Sequence, residues 1–333
     1  MISGNALRRK SSPEAPSLKA LLNEKKGNFY MEFEDYCRLP KLRVIVSEEV
    51  AKTIEEYDLI SGEKSWNKSR YKLGRRALPI RLLLKSKEAT MQVMKSKPKF
   101  LTHGGVQVML PTKINEDLAY LCGLVCGDGN LFISEKRDYI LTVHNIETAL
   151  LDKAVEILER EFSYTTRIKQ GHYCLKVEVR SEVIHSFFNK ILEIESGRKE
   201  NIVIPKKIKA DKKLTRAFIA GFFDAEGNVA LQKNKMTCQI SIAQKQKGIL
   251  EEISRALEED TIPTKFIKSL NHCWCLYGNK ASLAPFLEKI PFIHPKKREK
   301  LETAVRNQAI WQSQRVSSDA ARSQAVCSLS STI

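Results

Sequence analysis

Two carboxylates in this chain stand where a helix does not ordinarily place them. Asp128 lies near the end of LAYLCGLVCGDGNL (118–131), and Glu226 lies near the end of RAFIAGFFDAEGNV (216–229). Each closes an apolar run and precedes a glycine, and the two acids are 98 residues apart. A carboxylate in a last helical turn faces the negative end of the helix dipole, where lysine or arginine would be favoured. Two such acids brought side by side on a basic surface would suit a hard divalent cation, Mg2+ or Mn2+.

The runs that carry the acids must position them. Gly123 and Gly127 are four apart, as are Gly221 and Ala225. Residues four apart share one helix face, so each helix carries a small-residue stripe where a second backbone can approach. The remaining positions are apolar nearly all round, the pattern of a buried helix. Gly129 and Gly227 are expected to be left-handed C-terminal caps. One such segment alone would read as a core helix ending in an ordinary turn. Two, in matching context, read as an internal repeat.

Composition narrows the class. The 333 residues give room for two or three units. Lys and Arg number 56 against 39 Asp and Glu, a net charge of +17. That excess points to a polyanionic partner, nucleic acid first. No apolar run approaches the roughly 20 residues that cross a bilayer, and no apolar stretch follows the first ten residues as in a secretory signal. The expected setting is the cytoplasm, in association with the nucleoid, without membrane contact. The eight cysteines lack paired CxxC spacing, and read as reduced buried thiols rather than a zinc site.

Residues 1–115 form a basic N-terminal region with a net charge of +11. Residues 1–17 read as disordered. Ser47 is placed to cap a helix with Val50, Ile54 and Tyr57 on one face. Residues 64–113 hold 13 lysines and arginines against one acid, Glu88, with Trp66 and Tyr71 among them. A short helix pair followed by such a stretch suggests a helix-turn-helix; the alternative is a solvated basic linker. Gly104, Gly105 and Pro111 mark a hinge.

Residues 116–210 and 211–315 read as two repeats, each helix–strand–strand–helix–strand–strand–helix. The fold class is α+β: two pseudo-symmetric αββαββα units, each with an antiparallel four-stranded sheet, helices on one face and an open second face. Together the open faces would form a saddle along a DNA groove. In LKVEVR (175–180) the alternation turns Val177 and Val179 inward and Lys176, Glu178 and Arg180 outward. Lys176 and Arg180, with Arg167 and Lys169, are the candidate DNA contacts of the first half, while Glu178 runs against phosphate attraction. Gln232, Lys235, Lys265 and Lys268 are those of the second. Residues 316–333 read as a disordered tail.

The nine-residue cores LCGLVCGDG (121–129) and IAGFFDAEG (219–227) resemble the paired signature of the LAGLIDADG homing endonucleases in their single-chain, two-repeat form, over residues 116–305. The first copy has Cys126 at the sixth position, where the signature has Asp. The second keeps Asp224 there and carries Glu226 at the eighth. The resemblance implies that the eighth-position acids, Asp128 and Glu226, hold divalent metal. It also implies hydrolysis of one phosphodiester on each strand of a long, non-palindromic DNA site, cut across the minor groove to short 3′ overhangs, by a monomer. A Gln-Lys pair between strand and helix lines the family's active site, which makes Gln244 and Lys245 catalytic candidates, with Lys245 acting on the water or on transition-state charge. The matching segment of the first repeat is read as His144-Asn145, where His144 either orients water or simply ends a strand. Two other functions fit the same fold: a maturase acting on intron RNA, and a DNA-binding regulator without catalysis.

Overall fold

The computed structural model describes residues 29–39, 42–74, 76–101, 106–232, 237–268 and 273–330, with the side chains of 29, 30, 268 and 315–330 excepted. The basic N-terminal region is a folded α+β unit. It runs β1 (Phe29–Tyr30), α1 (Phe33–Cys37), β2 (Arg43–Val44), α2 (Glu48–Glu56), α3 (Ser65–Lys72), β3 (Leu78–Pro79), α4 (Ile80–Leu83), α5 (Lys87–Lys95), β4 (Lys99–Leu101), β5 (Gln107–Met109) and β6 (Lys113–Ile114). Its small sheet has the order β3-β2-β4-β5. Val44, Val50, Ile54, Leu78, Leu83, Val93 and Phe100 form its core. Ser47 caps α2 as expected, its hydroxyl accepting from the Val50 amide at 3.4 Å. The helix pair α2 and α3 is joined by residues 57–64, longer than the three or four residues of a helix-turn-helix turn, and α3 itself lies in the basic stretch. The expected glycine hinge, 104–105, is outside the described residues.

The first repeat comprises α6 (Glu116–Asp128), β7 (Gly129–Ile133), β8 (Tyr139–Asn145), α7 (Thr148–Phe162), β9 (Ile168–Gln170), β10 (Leu175–Arg180) and α8 (Glu182–Ser186), which continues as a π-helical turn over Phe187–Ile191. After a short α9 (Lys206–Lys209), the second comprises α10 (Lys212–Glu226), β11 (Gly227–Leu231), β12 (Cys238–Gln244), α11 (Lys247–Glu259), β13 (Thr264–Lys268), β14 (Trp274–Gly278), α12 (Lys280–Lys289) and α13 (Pro295–Ser330). The two sheets share one strand order, β7-β8-β10-β9 and β11-β12-β14-β13, antiparallel throughout.

Strand alternation explains why each sheet has one covered face. Leu141, Val143, Val177 and Val179 meet α7 through Leu150, Leu151, Ala154 and Ile157, all fully buried. In the second sheet Ile240, Ile242 and Leu276 meet Ile249, Leu250 and Ile253 in the same way. Each such side chain contributes about 1.5–3 kcal/mol through burial. The backbone is helical to Ser330, where a disordered tail from 316 was expected. The segment after Pro295 contains neither proline nor glycine, so nothing in its composition stops the helix. Among the described residues no helix is long and apolar enough to cross a membrane.

Candidate nuclease centre at the paired helix ends

Both signature helices start from firm caps. Asn115 accepts from the Leu118 amide at 2.9 Å, and Asp211 from the Lys213 and Leu214 amides at 2.7 and 3.0 Å. They then pack against each other through the small-residue stripe. A Cβ on Gly123 would lie 2.1 Å from the Phe218 carbonyl oxygen, and one on Gly221 would lie 2.0 Å from that of Tyr120. A Cβ on Gly127 would run into Ala225. Any side chain at these glycines would hold the backbones apart, so the sequence sets the helix spacing.

Gly129 and Gly227 differ from expectation. Their φ angles are −97° and −77°, extended rather than left-handed. Glycine is required there for room: a Cβ would lie 2.7 Å from the Val125 oxygen and 2.9 Å from that of Thr142 at Gly129, and 2.4 Å from the Phe223 oxygen at Gly227. Each chain passes straight from helix into the first strand of its sheet, and the acid is left at the junction.

Asp128 and Glu226 are therefore brought together, both partly buried. Burial raises the pKa of Asp128, and an Asn145 amide donating at 2.6 Å works against that rise. Burial and then the charge of Asp128 raise Glu226, while Lys199, the Gln244 amide at 3.4 Å and Lys297 pull it down. Each amide is oriented in turn: the Asn145 oxygen accepts from the Glu147 amide and the Gln244 oxygen from the Lys245 amide, both at 2.8 Å.

Sheet register corrects one pairing. Gly129 faces Val143 and Gly227 faces Ile242, so Asn145 corresponds to Gln244 and Ile146 to Lys245. The second hairpin is one residue longer, so the match falls at Asn145-Ile146 and not at His144-Asn145. Gln244 reaches the centre as expected. Lys245, the next residue, has an exposed side chain, and its counterpart Ile146 is 78% exposed.

Two other lysines, unforeseen in the sequence, reach the helix ends. The Lys199 ammonium donates to the carbonyls of Val125, Cys126 and Gly127 at 2.7, 2.9 and 3.2 Å. The Lys297 ammonium donates to those of Phe223 and Asp224 at 2.9 and 2.7 Å. They supply the cations that the helix C-termini call for. Burial lowers the pKa of both, that of Lys297 to about 8, while the nearby carboxylates hold it up. Each stands 71 residues after its acid, 128 to 199 and 226 to 297; that shared offset was the available signal.

The sixth signature position also becomes intelligible. Asp224 is 1% exposed and accepts from the Tyr120 hydroxyl at 2.8 Å and from the Ile293 and His294 amides at 2.8 and 3.0 Å. It ties the helix pair to the start of α13. In the other half Cys126 stands in place of Asp224, and Phe218, without a hydroxyl, stands in place of Tyr120. The polar Tyr120–Asp224 couple thus has an apolar counterpart, so that neither member is left without its partner.

The open sheet faces differ in their described residues. On the first, Glu178 is held by Lys176 at 2.7 Å, Arg180 at 3.0 Å and Lys169 at 3.7 Å. The Lys176 hydrogen bond leads in pulling its pKa down to about 2. Arg167 is exposed just before β9. On the second, Lys265 and Gln232 are exposed beside the neutral Asn228, Ser241 and Tyr277. Lys235 lies outside the described residues, as does the side chain of Lys268.

The donor set fits a hard cation. The acids are oxygen donors that repel each other, and among the described residues no cluster of three or more His, Cys, Asp or Glu could hold a metal. Two carboxylates with the remaining positions left to phosphate and water is the manner in which Mg2+ is usually bound.

Comparison with known proteins gives the following. Residues 213–291 match the LAGLIDADG-like domain family. A curated relative, a probable translation initiation factor IF-2 of Thermococcus kodakarensis, is 25% identical over 192 residues; the match covers 57% of this chain but 16% of that protein. Mesophilic variants of the homing endonuclease I-DmoI are 20% identical, with 55% of this chain and 96% of theirs covered and a TM-score of 0.43. I-DmoI in complex with DNA and Mn is also 20% identical, with 54% and 98% covered and a TM-score of 0.42. Full-length DUF199/WhiA from Thermatoga maritima is 15% identical, with 62% and 67% covered and a TM-score of 0.40. The match to the LAGLIDADG-like domain thus falls on the second repeat, and the same acid-ended, glycine-packed helix stands in the first.

Proposed function

We propose that the protein is a site-specific double-strand DNA endonuclease, and that Asp128 and Glu226 hold the divalent metal at its centre. The observation that carries this reading is the meeting of two partly buried acids at the ends of helices packed glycine to backbone. A structural core would gain nothing from two mutually repelling carboxylates there. Mg2+ or Mn2+ between them would offset the repulsion, polarise the scissile phosphates and steady the leaving oxygens.

The protein's own groups prepare the centre. Asn145 and Gln244 each present a carboxylate in one orientation. Lys199 and Lys297 place positive charge beside both acids and add to the field that draws in a phosphate backbone. Lys176, Arg180, Lys169 and Arg167 would bind phosphates and base edges of one half-site, and Gln232 and Lys265 those of the other. The two faces carry different residues, which suits a non-palindromic site and a chain that works as a monomer.

The test is incubation of the purified protein, in Mg2+ or EDTA, with DNA spanning the uninterrupted allele of its own locus. Metal-dependent cleavage of both strands, absent in Asp128→Asn, supports the reading. Tight binding with no cut would replace it with a regulator, and binding to the intron transcript alone would replace it with a maturase.

A further inference from the structure

Helix α3 carries a second charged surface, outside the two repeats. Its eight residues, SWNKSRYK, contain no acid, and only Tyr71 is buried. Lys64 precedes it, and Lys68 and Arg70 lie along it. None of these three has an acidic partner among the described residues. Lys72 alone is paired, to Glu55 at 3.2 Å.

At its N-terminal end this charge opposes what the helix favours, while Arg70 and Lys72 in the last turn agree with the dipole. Lys64 occupies the N-cap without a side-chain cap bond, and the first turn holds no acid. Cations at that end face the positive pole of the dipole. The neighbouring α2 is built the ordinary way, with Ser47 as cap and Glu48 and Glu49 in its first turn. The unit is thus polarised, acidic on α2 and basic on α3.

The same surface exposes a flat apolar group. Trp66 is 53% exposed, and the Arg76 guanidinium lies 5.4 Å from its ring centroid and 5.9 Å from that of Tyr71. A hydrogen bond to the Asn67 side chain fixes Arg76 in this stack. A pre-oriented guanidinium beside an exposed ring, among unpaired cations, suits a polyanion that also has flat or sugar surfaces.

We propose that α3, through Lys64, Lys68, Arg70, Arg76 and Trp66, is a second binding surface for the backbone of duplex DNA, separate from the repeats. It rests on the nucleic-acid reading of the chain but not on cleavage.

The test uses the full chain with Lys68→Glu and Arg70→Glu together, and Lys68→Gln with Arg70→Gln should the reversal disturb folding. Binding of a long duplex of arbitrary sequence is followed by fluorescence anisotropy in EDTA, from about 50 to 200 mM salt. The expected result is affinity reduced about tenfold or more and a log–log salt slope shallower by about 2, one per lost phosphate contact, with the melting temperature unchanged. Unchanged affinity and slope would overturn the proposal. Loss of binding to an RNA hairpin while duplex DNA binding is retained would overturn the choice of partner. Cleavage by the variant with weakened binding would leave the proposal standing, and so would weakened binding in a chain that never cuts, although that second outcome would sink the nuclease.

Discussion

Replacing Gly221 by alanine places a methyl carbon 2.0 Å from the Tyr120 carbonyl oxygen and 2.9 Å from the Leu124 nitrogen. Ordinary contact begins near 3.4 Å, so the shortfall at the oxygen is about 1.4 Å. Both neighbours are backbone atoms inside a helix and cannot swing aside. The helices must separate, and the acids at their ends must move with them. Overpacking of this kind costs about 1–3 kcal/mol, against roughly 1 kcal/mol regained from alanine's helix propensity. A displacement near 1 Å at a reacting centre lowers rate about 100-fold. The paired control is Gly248→Ala in α11, where a Cβ meets nothing within 4 Å; it should stabilise by up to about 1 kcal/mol and leave cleavage intact. Chemical denaturation and single-turnover cleavage read both effects. If Gly221→Ala proved as stable as Gly248→Ala, or cut at the wild-type rate, the helix spacing would not be what positions the acids.

Three further outcomes follow from the charges. In the absence of metal, Glu226→Gln should raise the melting temperature at pH 7, because burial and Asp128 both disfavour the ionised carboxylate; a lowered value would show that the acids do not repel. Glu178→Gln should destabilise at pH 7 by about 1–3 kcal/mol, discounted for the exposure of its partners. The folded pKa of Glu178, about 2, lies below its ordinary 4.5, so its contribution is present above 4.5 and lost as pH falls toward 2. The gap between wild type and variant should therefore close between pH 4.5 and 2, and a gap independent of pH would refute the ion-pair origin. Lys297→Met removes a charge that lowers the pKa of both acids. The acid limb of the cleavage pH profile should move to higher pH, and an unmoved limb would separate Lys297 from the centre.

The parts of the site that were legible in the sequence are those encoded by local spacing. The stripe of Gly123, Gly127, Gly221 and Ala225, the acids at the helix ends and the strand alternation around Val177 all depend on residues within a few positions of one another. The repeat then made the α+β class and the two antiparallel four-stranded sheets readable. Lys199 and Lys297 were not readable in that way, because each arrives at its helix end from a segment 71 residues downstream of the acid and touches carbonyls rather than side chains. Gly129 and Gly227 were misread because a glycine after a helix suggests a left-handed cap, whereas here crowding by the preceding turn and the neighbouring strand sets the requirement. The first-repeat match of Gln244 was not legible either: only sheet register sets it at Asn145 rather than His144.

The most direct measurement is cleavage of a supercoiled plasmid carrying the uninterrupted allele, in Mg2+, by the wild type, Asp128→Asn and Glu226→Gln. The expected result is linear product from the wild type alone, with the rate of double-strand cutting in either variant lower by about 100-fold or more. Linearisation by either variant at the wild-type rate would contradict the assignment of the nuclease centre to the paired acids.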